Sequence, residues 1–235
     1  MKKIAISRGI VIQLKSLLKK FKKYKNFSRS KKNAFKYTTL IGIKVCPYCN
    51  INYVYTVYSE SGNEILRPDL DHFVSQFDSN EESLNWKNLI PSCQQCNSRL
   101  KLSKKFDPKT HLHPYLDDFD SIKRIAIFLT SINYLNEGNF KIVFIDKSID
   151  NPNDTKKADR NIIDFKLIER YQHHKDEVVN IFANLQLYHK NKREEIAHLM
   201  NDGYSLRHLL LVDSICEINK TSLGKLKRDI INTYK

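Results

Sequence analysis

A chain of 235 residues can bury a substantial core, and a composition of 41% hydrophobic and 28% charged residues excludes extended disorder as its general state. No uninterrupted apolar run approaches the ~18 residues of a membrane span, and Arg8 and Lys15 interrupt the apolar stretch behind the first lysines. The sequence therefore predicts a soluble, cytoplasmic protein. Its 40 Lys and Arg against 26 Asp and Glu, a net charge of +14, favour polyanionic partners, with nucleic acid ahead of anionic membrane.

The charge is unevenly placed. Residues 1–59 contain fourteen Lys and Arg and no Asp or Glu. Within residues 1–38, Val11, Leu14, Leu17, Leu18 and Phe21 recur at helical spacing while lysines fill the other faces, which predicts a basic helical arm. The polar stretch Ser28–Asn33 reads as a linker. Ile51–Tyr58 has the β-branched and aromatic content of a strand, Ser61-Gly62-Asn63 of a hairpin turn, and Glu64–Leu70 of the returning strand, with Pro68 marking an edge or bulge. Cys93–Lys104 has helical composition. Residues 121–150 read as a second hairpin, from strands Ile122–Tyr134 and Phe140–Ile145 across Asn136-Glu137-Gly138. Asp150–Asp154 reads as a loop. Residues 151–235 then read as helical, with an apolar face on Phe165, Ile168, Val178, Val179, Phe182, Leu185 and Leu187, continued by Ile196 and Leu199. Two closing helices are expected at Leu206–Ile218 and Leu223–Ile231.

Four of the five cysteines form two C-x-x-C pairs, Cys46 with Cys49 and Cys93 with Cys96. Each pair offers two thiolates to one ion, and four thiolates in a tetrahedron make the closed pattern of structural Zn²⁺. A redox pair at Cys46-Pro47-Tyr48-Cys49 alone is the competing possibility, and the second pair tells against it. Cys216 lies among Leu211, Ile215 and Ile218 and reads as a buried apolar residue.

Between the pairs stand Leu70-Asp71-His72-Phe73 and Trp86-Lys87-Asn88-Leu89-Ile90-Pro91, and Asn97 follows Cys96 directly. In order, His72, Asn88 and Asn97 resemble the three signature positions of the HNH, or ββα-metal, endonucleases, in their D-H…N…N form. The resemblance spans about residues 44–105. It implies an α+β chain with a zinc-stapled ββα core in residues 39–120, and phosphodiester hydrolysis leaving 5′-phosphate and 3′-hydroxyl ends. By the same resemblance, His72 is the general base, Asp71 and Asn97 ligate a catalytic Mg²⁺ or Mn²⁺, and Asn88 anchors the loop and orients the base. A histidine that is neutral near pH 7 suits proton removal from water, and two hard oxygen ligands suit Mg²⁺ or Mn²⁺.

Arg99 and Lys101 are expected to contact the phosphate backbone, with Lys104 and Lys105 one turn on. His111-Leu112-His113-Pro114-Tyr115 is similar to a segment that follows the helix in some bacterial HNH proteins. The remaining histidines (173, 174, 189, 198 and 208) lack ligand spacing. DNA is the expected substrate. Cleavage of RNA, for instance transfer RNA, is the alternative within the same chemistry, and a zinc module that only binds nucleic acid is the alternative outside it. Small HNH proteins of this look serve as effectors in phage-defence systems such as Septu beside a separate ATPase. This chain has no P-loop, so such an ATPase would be a partner, docked on the helical C-terminal third.

Overall fold

The computed structural model describes residues 1–75, 81–133, 135–147, 151–188 and 218–234, and residues 192 and 195 singly. It is α+β: helices combined with three two-stranded antiparallel sheets. None of its helices is long and apolar enough to cross a membrane among the described residues.

Residues 1–42 form three helices, α1 (Arg8–Leu18), α2 (Tyr24–Arg29) and α3 (Lys31–Ile41). Ser7 caps α1 by accepting from the Ile10 amide at 3.4 Å, and Gly42, at φ 66°, ends α3 in the left-handed conformation that glycine adopts without strain. The expected linker at Ser28–Asn33 is only the break between α2 and α3. Leu14, Leu17, Leu18, Phe27 and Tyr37 are buried and join the same apolar cluster as Phe73, Leu89 and Ile90. Each such side chain contributes about 1.5–3 kcal/mol by leaving water. Tyr37 also donates from its hydroxyl to the carbonyls of Trp86 and Leu89, both at 2.9 Å. The basic helices therefore pack against the middle of the chain, lysines outward.

The strands differ from those expected. Ile51–Tyr58 begins in a bend and contributes only one isolated bridge, Val45 with Tyr53, and the short β1 (Val57–Tyr58). β1 pairs with β2 (Glu64–Leu66) across the expected turn, where Gly62 takes φ 82°. Pro68 lacks the amide that would continue the ladder, and the chain changes partner there. β3 (Asp69–His72) pairs instead with β4 (Leu89–Ser92), placing Asp71 opposite Ile90 and His72 opposite Leu89. The helix expected at Cys93–Lys104 is a π-helix over Gln95–Lys101, closed by Leu102 with φ 48°.

After a short α4 (Phe119–Ile122), β5 (Lys123–Leu129) and β6 (Phe140–Asp146) form the second hairpin in full register. Of the loop expected at Asp150–Asp154, Asp150 lies outside the described residues and residues 152–154 are already helical. Asn151 caps α5 (Pro152–Asp164), and Pro152 occupies its first turn, where a missing amide is harmless. α6 (Leu167–Tyr171), α7 (Lys175–Leu187) and α8 (Gly224–Tyr234) follow. α8 packs on β5, with the Asp229 carboxylate accepting from the Ile125 amide at 2.9 Å. The expected helix at Leu206–Ile218, together with Ile196, Leu199, His189, His198, His208 and Cys216, lies outside the described residues apart from Ile218.

Candidate functional site

The four cysteines of the two C-x-x-C pairs converge. All are buried, and their sulfurs lie within 4.8 Å of one another. Tetrahedral Zn²⁺ with Zn–S of ~2.3 Å requires sulfurs about 3.8 Å apart, a separation compatible with this grouping. Burial pushes the Cys46 thiol up, and its sister thiols add to the effect. Four sulfurs in this space need a cation to become thiolates together. The donors around them are already placed: Asn52 donates to the Cys93 sulfur at 3.3 Å, the Ile51 amide to Cys49 at 3.4 Å, and Arg170 to Cys96 at 3.3 Å. N–H groups aimed at sulfur stabilise the thiolate form and orient it for metal. The chemistry of this cluster fits a structural zinc and leaves no ligand position for substrate.

Three later segments fasten onto this centre. Tyr171 donates to the Cys49 carbonyl at 2.9 Å. Asn50, in the left-handed region at φ 56°, donates to the Ile218 carbonyl at 2.5 Å and accepts from the Lys225 amide at 2.8 Å. Arg170 also reaches Gln95 at 3.1 Å. No spacing rule in the sequence pointed to Arg170, Tyr171 or Asn50.

β3, β4 and the π-helix stand in chain order against the cluster, and they carry the other candidates. His72 ends β3, half-buried, its ring 4.2 Å from that of Tyr24. Its Nε2 meets the Ser83 carbonyl at 3.0 Å. A carbonyl can only accept, so Nε2 carries the hydrogen and Nδ1 is the lone-pair nitrogen. Burial lowers the pKa of His72, outweighing the Ser83 carbonyl and the Asp71 charge that favour the imidazolium, so the ring is a neutral base near pH 7.

Asn88 is buried and fully used. Its amide oxygen accepts from the Val74 amide at 2.7 Å, and its amide nitrogen donates to the carbonyls of Val74 at 2.9 Å and Glu82 at 3.1 Å. Its own carbonyl accepts from Phe73 at 2.9 Å. One side chain thus ties residues 74 and 82 to the start of β4 and fixes the exit of His72.

Asp71 and Asn97 are held by different partners. Asp71 is 5% exposed, accepts from the Tyr48 hydroxyl at 2.5 Å, and is bridged through both oxygens by the Lys101 ammonium at 2.7 and 2.8 Å. The Asn97 amide donates to Asp69 at 3.3 Å. The register explains both contacts. Asp69 and Asp71 share one face of β3, and Asn97 and Lys101, four residues apart on the π-helix, face them as two rungs. As they stand, Asp71 and Asn97 do not fit a divalent cation, because an ammonium already holds the carboxylate.

Lys101 therefore corrects an expectation. It is 4% exposed rather than on a phosphate-facing surface, and its ammonium also donates to the His72 carbonyl and lies 5.1 Å from the Phe106 ring centre. Burial pulls its pKa down against the opposing pull of Asp71. Arg99 is exposed, as phosphate contact requires. His111 and His113 are buried. The first bonds Asp164 at 2.9 Å and stacks on Phe106; the second packs on Phe73.

Comparison with family models, with curated proteins and with solved structures finds no match.

Proposed function

We propose that this chain is a zinc-stapled HNH-type endonuclease that hydrolyses phosphodiester bonds in DNA, with His72 as general base through Nδ1. The observation that carries the reading is the His72 ring itself. It is half-buried at a strand end, neutral, and fixed by Ser83 so that the basic nitrogen is defined. Support comes from its setting in a strand–strand–helix unit, with Asn88 clamping the strand exit and four cysteines beside it. His72 would take the proton of an attacking water, and Arg99 would hold the substrate backbone.

Asp71, with both oxygens held by Lys101, offers Mg²⁺ or Mn²⁺ no free carboxylate. The same contact favours a second reading, a zinc module that binds nucleic acid without cutting it. Incubation of the zinc-loaded protein with supercoiled plasmid and, separately, with total RNA distinguishes them. Each substrate is run with Mg²⁺, with Mn²⁺ and with a chelator, beside His72→Ala. Cutting that disappears in the variant supports the nuclease and selects its substrate; binding without cutting in every arm supports the second reading. A phage-defence role with a separate ATPase belongs to this proposal as its context, and is tested by co-purification with a co-expressed ATPase.

A further inference from the structure

Beyond the first knuckle the chain runs extended and alternates in burial: Tyr53 and Tyr55 are 48% and 45% exposed, while Val54 between them is 4% exposed. The two exposed rings stack on each other, centroids 4.9 Å apart and planes 16° from parallel. Three residues on, past an irregularity in the pairing between Val57 and Tyr58, Tyr58 is also exposed; its hydroxyl is 3.0 Å from that of Thr39 and its ring packs edgewise on Phe35. On α3, Lys32, Lys36 and Thr39 are exposed at helical spacing, so a basic stripe leads to Tyr58. Lys44 is exposed on the chain beside the tyrosines, its carbonyl accepting from the Val54 amide at 2.9 Å. None of the ion pairs between described residues uses Lys32, Lys36 or Lys44. Of the acids of the hairpin, Glu60 lies at its turn end and Glu64 stands directly across from Tyr58, so the acidic side begins where the row of tyrosines ends.

We infer that Tyr53, Tyr55 and Tyr58, flanked by Lys32, Lys36 and Lys44, form a binding track for single-stranded nucleic acid. Exposed rings in a row offer π-faces to unpaired bases, which a duplex keeps stacked inside, and free ammonium groups follow the phosphates. Net positive charge argues against a second copy of the chain as the occupant, because two such faces repel. The track shares no residue with the His72 site. Its bearing on what is cut rests on the nuclease reading; strand binding itself does not.

The test is fluorescence anisotropy of the full zinc-loaded chain without added divalent ion, using a labelled oligothymidylate of about 12 nucleotides and a duplex of equal length. A gel of the same samples records whether the strand stays intact. The parent is expected to prefer the single strand. Tyr53→Ala with Tyr55→Ala should weaken that binding about tenfold or more, since each base stack is worth about five- to a hundredfold, and shift duplex binding less than twofold. Lys36→Ala should shallow the salt dependence by roughly one ion. Preference for duplex overturns the proposal, as does unchanged strand affinity in the tyrosine variant. A dimer that the tyrosine variant dissociates, with strand affinity unaltered, also overturns it by assigning the face to self-association. Strand binding without cutting in any metal sinks the nuclease reading and leaves the track standing; cutting by a protein whose tyrosines prove dispensable does the reverse.

Discussion

Replacing Lys101 by methionine probes the geometry of the site most directly. The change keeps the packing on Phe73 and Phe106 but leaves the buried Asp71 carboxylate with the Tyr48 hydroxyl alone. Breaking a buried ion pair from one side costs about 3–5 kcal/mol, because the remaining charge is uncompensated. In a chain of this length each kcal/mol moves the melting temperature by about 2–4 °C, so a fall of roughly 6–20 °C is expected. Asp71→Asn removes the orphaned charge and retains an acceptor for Tyr48. The double variant Asp71→Asn with Lys101→Met should therefore recover most of the loss, giving a coupling of about 2 kcal/mol or more in a double-mutant cycle. Urea unfolding of the four proteins, each saturated with zinc, measures it. A loss below about 1 kcal/mol in Lys101→Met, or simple additivity in the double variant, would refute a tightly paired Asp71–Lys101.

Other expectations follow from the same geometry. Cys46→Ala should abolish stoichiometric zinc, read by a chromogenic chelator after acid release, and with it cooperative unfolding, because metal binding and folding are coupled at such sites. His72→Ala should lower plasmid cleavage by at least about 100-fold while changing unfolding free energy by no more than about 2 kcal/mol. His113 is held at a pKa of about 4 by burial, outweighing the Asp117 charge that favours its protonation. Its folded pKa lies below the unfolded value of ~6.5, so the unfolded chain gains the proton first as pH falls. Stability should decline by about 2–3 kcal/mol from pH 6.5 to 4 through this group; urea titrations at several pH values should show that slope flattened in His113→Gln. Asn88→Ala should cost about 1–3 kcal/mol, since it unpairs partly buried groups of Val74 and Glu82, and should slow cleavage without altering zinc content.

The four-cysteine cluster was legible because C-x-x-C spacing is local, and two such pairs of soft thiols have little use in one chain besides converging where they could share a metal ion. The second hairpin was legible for a similar reason: its strands are long and bounded by a polar turn. The strand content of Ile51–Leu70 misled, because β propensity says that a segment suits a sheet and not which partner it takes. Pro68 ended one ladder and let the next residues begin another. Lys101 was misassigned because a lysine on a helix is usually solvated. Only the four-residue step along a π-helix, matched to the two-residue step along β3, shows that it faces Asp71. Asn50, Arg170 and Tyr171 were invisible, since each acts across more than 70 residues of sequence.

The fastening of Asn50 to residues 218–225 has a consequence for synthesis. Cys96, the last of the clustered sulfurs, leaves the ribosome about 130 residues ahead of Lys225, which at about 5–20 residues per second is roughly 6–26 s. During that interval the four cysteines can come together, but Asn50 lacks the partners that hold its left-handed backbone, and β5 lacks the Asp229 carboxylate. A nascent or truncated chain is thus held short of its finished form by its own unmade tail. Any activity of the His72 site that depends on a settled knuckle would begin only after residues 218–229 have been made.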